Sequence, residues 1–451
     1  MKLFPLLTIS SLLVSGSPFF ATEKVDEAKV IELVREKNLS LIIEKFNVDI
    51  AKAERVQAAL WANPSLGLSS TLNPFHKEYE QTTSAGPRQL DLALAIPIDA
   101  NGKRSLRKKS ADIAIRLAEA LYVNKTRMVI RDSRLAYVQA LYLRDKLNLV
   151  QQKKNAMQSL VRILERRIGT ASGGRQPLLL DRTRLAVENT LVEERLVDTQ
   201  YAAILVELRI LCGYSGQDNL APTGILRIKN SPLTDSLPQL IEKARANRPD
   251  LRAALLAITF SKEQKDLALA EKWDDIEFSL GLTRQLGFAA NPNDVDALGN
   301  VQTKSLPGEY SFGFGVRIAL PIIDRKQGNV EKTEQQIKQS EFASRALERE
   351  IENEVIKAYN KIVATRASLS EYEKTSLKRA QRVKDAQQRL FGTGGVNLLE
   401  YFDSYGAYFD TISGYYETAS EFRKACIELE TAIAAALEGE ATVKEANDAS
   451  R

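Results

Sequence analysis

Few side chains in this sequence of 451 residues could do chemistry, and the scarcity excludes several functions at once. There are one histidine, His76, two cysteines, Cys212 and Cys426, and three methionines. Transition-metal sites and His-centred acid–base or Cys–His nucleophile chemistry draw on those residue types, so neither an enzyme nor a metal centre is expected. His76 falls in a loop between two expected strands, where a solvated imidazole is the plain reading. With no Gly-rich phosphate loop, no cofactor is assigned. The cysteines lie far apart and read as buried thiols, a disulfide being the alternative. Lys+Arg 63 against Asp+Glu 58 leaves a net charge of +5, nearly balanced, which argues against a nucleic-acid partner.

The charges that remain of interest flank two glycine-rich turns. Glu400 and Asp403 are three residues apart and so share one helix face. Asn397 with Glu400 also approximates a capping box, and acids are favoured near a helix start, so capping is a competing role for Glu400; it explains Asp403 less well. The other turn is basic, with Arg166, Arg167, Arg175, Arg182 and Arg184. Arginines on one tip facing acids on the other could tie the two together. The alternative is a solvated charged face, since exposed pairs contribute only about 0–1 kcal/mol each.

What positions these groups is an internal repeat with a period of about 220 residues. ALAIPIDANGKRS (93–105) recurs as RIALPIIDRKQGN (317–329), Pro97 matching Pro321 at a strand-to-helix junction. EKNLSL (36–41) recurs as ANRPDL (246–251), and RRIGTASGG (166–174) echoes RLFGTGG (389–395). Each half reads as helix, strand, loop, strand, very long helix, glycine turn and long returning helix. The turns are carried by Gly169, Gly173 and Gly174 and by Gly392, Gly394 and Gly395. The expected organisation is a signal peptide over 1–21, a first repeat over 22–213, a linker over 214–238, a second repeat over 239–438 and a polar tail over 439–451. The first segment has a basic start, an apolar run and small residues before Thr22.

Strict alternation marks the strands, expected near 65–73, 89–98, 276–285 and 310–322. Phe278, Leu280 and Leu282 oppose Ser279 and Gly281, while Phe312, Phe314 and Val316 oppose Ser311, Gly313 and Gly315. Such runs approach the roughly 9 to 11 residues with which a tilted strand crosses a bilayer. In the hairpins of 102–212 and 326–437 the outgoing helices, 102–168 and 326–391, are each long enough to form a rod of roughly 100 Å, which no compact domain holds. Leu347, Ile351, Val355, Tyr359, Ile362 and Leu369 have the spacing of a packed seam. Four strands cannot close a barrel, and open edges are intolerable in lipid, so the chain is expected to form a homotrimer. The fold class is mixed α+β, mostly α: duplicated helical hairpins forming a trimeric α-barrel, plus a shared transmembrane β-barrel of twelve strands, four per copy.

This pattern resembles the TolC-type outer-membrane efflux factors, over residues 30–437. NPSLGLS (63–69), NRPDLRAA (247–254) and ALPIIDRKQGN (319–329) resemble landmarks of that family, and with DANGKRS (99–105) they look most like its CzcC-like heavy-metal branch. The resemblance implies a passive conduit whose barrel sits in outer-membrane lipid and whose helical tube crosses the periplasm. It further implies a periplasmic adaptor and an inner-membrane pump, expected to be proton-driven, with heavy-metal cations as cargo. GGVNLLEYFDS (394–404) resembles the stretch forming the periplasmic constriction, which would put Glu400 and Asp403 at the narrow end and make the arginine tip a latch. A drug-efflux or type I secretion duct of the same fold is one alternative, and a soluble periplasmic coiled-coil scaffold another.

Overall fold

The structure is a computed structural model, and it describes residues 23–71, 88–168, 176–215, 220–226, 235–286, 288–295, 297–299, 301–305, 309–392 and 398–435. The expected signal segment, the polar tail, His76 and Asn397 lie outside these residues, as do Gly169, Gly173, Gly174, Arg175, Gly394 and Gly395.

In chain order the elements are β1 (Glu23–Val25), α1 (Glu27–Lys37), α2 (Leu39–Ala58), β2 (Ser65–Thr71), β3 (Arg88–Ile98), α3 (Lys103–Ile168), α4 (Gln176–Leu211) and β4 (Leu220–Pro222). They continue as α5 (Leu237–Asn247), α6 (Pro249–Ala270), β5 (Ile276–Leu286), β6 (Phe288–Val295), β7 (Val301–Ser305) and β8 (Glu309–Arg317). The last are α7 (Gln327–Glu371), a π-helical turn (Tyr372–Ser376), α8 (Leu377–Gly392) and α9 (Leu398–Ala432). The chain divides into two compact units, one of residues 1–44, 123–248 and 349–451, the other of residues 45–122 and 249–348. Both halves of the repeat contribute to each unit.

The first unit is helical. Of the expected seam, Ile351, Val355 and Ile362 are fully buried and Leu369 nearly so, whereas Leu347 and Tyr359 are half-buried and Ala358 takes the inward place next to Tyr359. Lys154 on α3 meets Glu194 on α4 at 2.6 Å, pinning the two limbs of the first hairpin. The duplication is visible at single atoms. Asn38 and Arg248 occupy matching positions, and each ends a short helix, its backbone N–H donating to Val34 and to Ala244. Each side chain then reaches the C-terminus of a returning helix, Asn38 Nδ2 donating to Leu211 at 2.8 Å and an Arg248 guanidinium N–H to Ala432 at 3.4 Å. The last carbonyls of a helix lack internal partners, so both contacts serve the same need.

A partly buried ion network joins α1, α3 and α9. Glu27 accepts from Arg134 at 2.7 Å and from Arg423 at 2.5 Å, and Arg134 also reaches Glu430 at 2.7 Å. Burial disfavours the Glu27 carboxylate, yet Arg134 and Arg423 outweigh it and hold its pKa below the usual value. The same arginine layer captures the segment expected as a linker. β4 pairs in parallel with β1, Arg144 donates to the carbonyls of Pro222 and Gly224, Arg423 to that of Ile225, and the Tyr137 hydroxyl to that of Thr223. Gly213 ends α4 with φ of 73° and lies so close to Lys37 that a Cβ would overlap its carbonyl, a place only glycine fills. Cys212 and Cys426 are free and buried, and desolvation lifts their thiol pKa values to about 11 and about 12.

The second unit carries a four-stranded antiparallel sheet in the order β2-β3-β5-β8. Its register sets Leu68, Leu92, Leu282 and Phe312 in one row and Leu66, Leu94, Leu280 and Phe314 in the next. The rows between hold Gly67, Ala93, Gly281 and Gly313, or Ser69, Asp91, Thr283 and Ser311, where the Thr283 hydroxyl donates to Asp91 at 2.6 Å. One face is therefore large and apolar, with Phe314 83 % exposed, and the other small and polar. Below the sheet Asp99 caps α3, accepting from the backbone N–H groups of Asn101, Lys103 and Arg104. Its partial burial opposes ionisation, but the three donors prevail and depress its pKa.

Two expectations need correction. β8 stops at Arg317 instead of reaching residue 322, because its neighbour β5 begins at Ile276 and offers no further backbone to pair, and Pro321 lacks an N–H. A second, unexpected hairpin, β6 with β7, extends beyond the sheet. Its NPNDVD stretch (291–296) reads as a turn, not a strand.

Candidate channel constriction

In the first unit the ends of α3 and α8 and the starts of α4 and α9 share an apolar cluster. Leu160, Leu164, Leu180 and Phe391 are buried there, with Val161, Leu179, Tyr401 and Phe402 packed against them. Phe391 stacks on Tyr401 with ring centroids 4.6 Å apart, and Tyr405 and Phe409 continue the row up α9. Tyr401, Tyr405 and Phe409 are spaced by four and so line one helix face. Burial and the hydroxyl contact with Tyr405 push the Tyr401 pKa well up, so the phenol stays neutral at physiological pH.

On this aromatic base the expected charges take distinct places. Arg182 on α4 approaches Asp403 on α9 to 3.7 Å, and its guanidinium lies 5.6 Å from the Phe402 ring centroid. Both side chains are more than half exposed, so their attraction is screened and worth at most about 1 kcal/mol. Arg184 turns the other way, to Glu165 at 2.8 Å and Asp181 at 4.0 Å, both within the first hairpin. Glu400 is exposed on the first turn of α9, where its carbonyl accepts from the Ser404 hydroxyl at 2.8 Å. Arg166 and Arg167 lie in the last turn of α3, and Gly392 closes α8. Among the described residues no cluster of His, Cys, Asp and Glu could hold a metal ion.

Two features of this region were not anticipated. The aromatic row is legible in YFDSYGAYF (401–409) as a four-residue spacing. The π-helical turn has no such signal. It widens the outgoing limb of the second hairpin, and Tyr372 at its start sits over Gly414, where an added Cβ would come within 2.5 Å of the tyrosine hydroxyl. Tyr372 also packs edge-on against Tyr415, at 6.4 Å.

Residues 30–214 and 240–435 match the outer membrane efflux protein family, one stretch in each half of the repeat. The chain belongs to that family. It is 23 % identical over 376 residues to the cobalt-zinc-cadmium resistance protein CzcC of Cupriavidus metallidurans, covering 83 % of this chain and 81 % of CzcC. Its fold is similar to the CmeC outer membrane channel of Campylobacter jejuni, with TM-score 0.72 at 15 % identity over 93 % of this chain and 88 % of CmeC. It is likewise similar to CusC, with TM-score 0.70 at 18 % identity over 93 % and 95 % of the two chains. As a member of the outer membrane efflux protein family the chain is a passive channel, not an enzyme. It is the outer-membrane component of a tripartite efflux system, working with an adaptor and an inner-membrane pump, and its helical tube lies in the periplasm.

Proposed function

We propose that this outer membrane efflux protein is the exit duct for heavy-metal cations delivered by a proton-driven inner-membrane pump. The observation that carries the cargo is the similarity to CzcC over more than four-fifths of both chains. In this reading three copies close the sheet into a barrel of twelve strands, the apolar rows facing lipid and the Gly, Ala and Ser rows facing water. The tip formed by α3, α4, α8 and α9 is the constriction. Asp403 and Glu400 supply acidic groups there, six in a trimer, which attract cations.

Arg182 and Asp403 join the first hairpin to the second and act as a latch at that mouth. A pair worth at most about 1 kcal/mol suits a contact that must yield when an adaptor binds. Pro97 and Pro321 stand at the strand-to-helix junctions.

Deleting the gene from its host and measuring growth on cobalt, zinc and cadmium salts tests the cargo. The proposal expects sensitivity to rise at least several-fold and to be restored by the wild-type chain. Unchanged metal tolerance with raised sensitivity to organic drugs would reassign the duct to drug efflux.

A further inference from the structure

Apolar alternation does not by itself choose the register of the sheet. If β5 slipped by two residues against β3, Leu92 would meet Leu280 and Leu94 would meet Phe278, apolar still on apolar and on the same face. β2 has the same freedom, with Leu68 opposite Leu90 or Leu94 in place of Leu92. A hairpin fixes its own register through its turn, and β8 is tied to β5 in that way through the paired β6 and β7. β3 has no such tie to either neighbour: residues 72–87 separate it from β2, and β5 belongs to the other repeat.

The start of α3 supplies what the alternation leaves open. Arg104 Nε donates to the Ala59 carbonyl at 2.6 Å, and its guanidinium lies 4.4 Å from the Trp61 ring centroid, both on the turn that leads into β2. Lys103 Nζ lies 2.7 Å from Asp275, the residue before β5, and Asn101 Nδ2 makes a long contact of 3.5 Å with the carbonyl of Ala270, the last residue of α6. The Lys103 side chain is only 9 % exposed, so its charge depends on that carboxylate. The same three residues have their backbone N–H groups held by Asp99, and Gly102 turns the chain among them with φ of 68°. A two-residue slip moves a strand by about 7 Å, which breaks a 2.7 Å ion pair outright.

Counted from Pro97 and Pro321, the second repeat places Arg325, Gln327 and Gly328 where Asn101, Lys103 and Arg104 stand, and Lys326, with φ of 55°, where Gly102 stands. The turn is kept and the grip is not. Arg325 donates to the Ile322 carbonyl and Lys326 to Asp324, both within their own loop. We propose that Asn101, Lys103 and Arg104 are a register lock, which selects one pairing of β2 and β5 against β3 from the slips by two that the apolar rows tolerate. The lock stands at the strand whose neighbours the chain does not align, and the second repeat dispenses with it where a hairpin aligns β8. Copies of the chain can join their sheets into one barrel only if all share one set of offsets, so the lock serves assembly.

Cysteine pairs across β3 and β5 read the register directly. Ala95→Cys/Ser279→Cys reports the observed pairing, whereas Ala93→Cys/Ser279→Cys and Ala95→Cys/Gly281→Cys report slips by two in either direction. Each pair is placed in the full-length channel, and the disulfides formed on mild oxidation of outer membranes are mapped by peptide mass spectrometry, which distinguishes them from any made by Cys212 and Cys426. With the lock intact the in-register pair should cross-link at least tenfold more than either slipped pair. Lys103→Met should cut that excess at least threefold, and Lys103→Asp/Asp275→Lys, which restores the ion pair with its charges exchanged, should recover it. An excess unchanged in Lys103→Met, or a loss that the exchange does not recover, would overturn the lock. If Lys103→Met does not reach the outer membrane, the amount of the exchange variant decides: recovery supports the lock, and an equal loss overturns it. The readout is strand register alone, so its failure leaves the cargo and the latch as they stand.

Discussion

Replacing Glu27 with glutamine keeps the shape of the side chain and removes the charge that two arginines share. Glu27 lies 2.7 Å from Arg134 and 2.5 Å from Arg423, whose side chains are only 16 % and 11 % exposed. Breaking a buried pair from one side costs about 3–5 kcal/mol, because the remaining cation stays desolvated. The exposure of Glu27, 25 %, and the second partner of Arg134, Glu430, reduce that to about 2–4 kcal/mol. With an unfolding entropy of about 2.1 cal/mol/K per residue, the melting temperature should fall by about 2–4 °C if the chain unfolds as one unit. Circular dichroism of the detergent-solubilised channel reads this, with Glu32→Gln, an exposed helix position, as the control.

The pH dependence has a definite sign. The folded pKa of Glu27 is depressed, so its contribution is complete above the ordinary carboxylate value near 4.5 and is lost as pH falls through the lower folded value. The difference between wild type and variant should be full at pH 7 and shrink below pH 4.5. A Glu27→Gln melt that coincides with Glu32→Gln at pH 7 would refute the reasoning that this network clamps α1 to α3 and α9.

The two faces of the sheet should respond oppositely to charge. Leu280→Arg on the apolar face should cost about 2–4 kcal/mol and deplete the outer-membrane fraction, whereas Ser279→Arg, one residue away, should insert normally. Gly414→Ala should push against the Tyr372 hydroxyl and destabilise by about 1–3 kcal/mol, a loss that Tyr372→Phe partly restores; melts of the single and double variants check this. Cys212 and Cys426, buried with raised thiol pKa values, should resist maleimide at pH 7 in the folded channel and both react in denaturant, as counted by mass spectrometry.

Much of this architecture can be read from the residues, for physical reasons. The alternation in 276–285 and 310–317 has a period of two that a sheet with unlike faces requires, and the structure pairs those rows. The seam at Ile351, Val355 and Ile362 is equally plain, since a helix side that excludes water must repeat every three to four residues. What stays hidden depends on partners remote in sequence. Nothing local to Glu27 announces Arg134 and Arg423, and the pairing of β4 (220–222) with β1 joins residues 197 apart in sequence. The π-helical turn at Tyr372 leaves no mark on composition either. At the hairpin tips, the charges of Arg182 and Asp403 are conspicuous, whereas the aromatic row beneath them has the same spacing as any buried helix face and so does not stand out.

The central claim is that three copies of this chain make one water-filled conduit with a closable periplasmic mouth. Single-channel conductance in planar bilayers tests it most directly, comparing wild type with Asp403→Ala and Arg182→Ala. A conduit latched by this pair predicts discrete cation-conducting steps that are small or rare in wild type and larger or more frequent in both variants. Absence of any conducting step from a purified trimer, or identical closed-state leak in all three proteins, would contradict it.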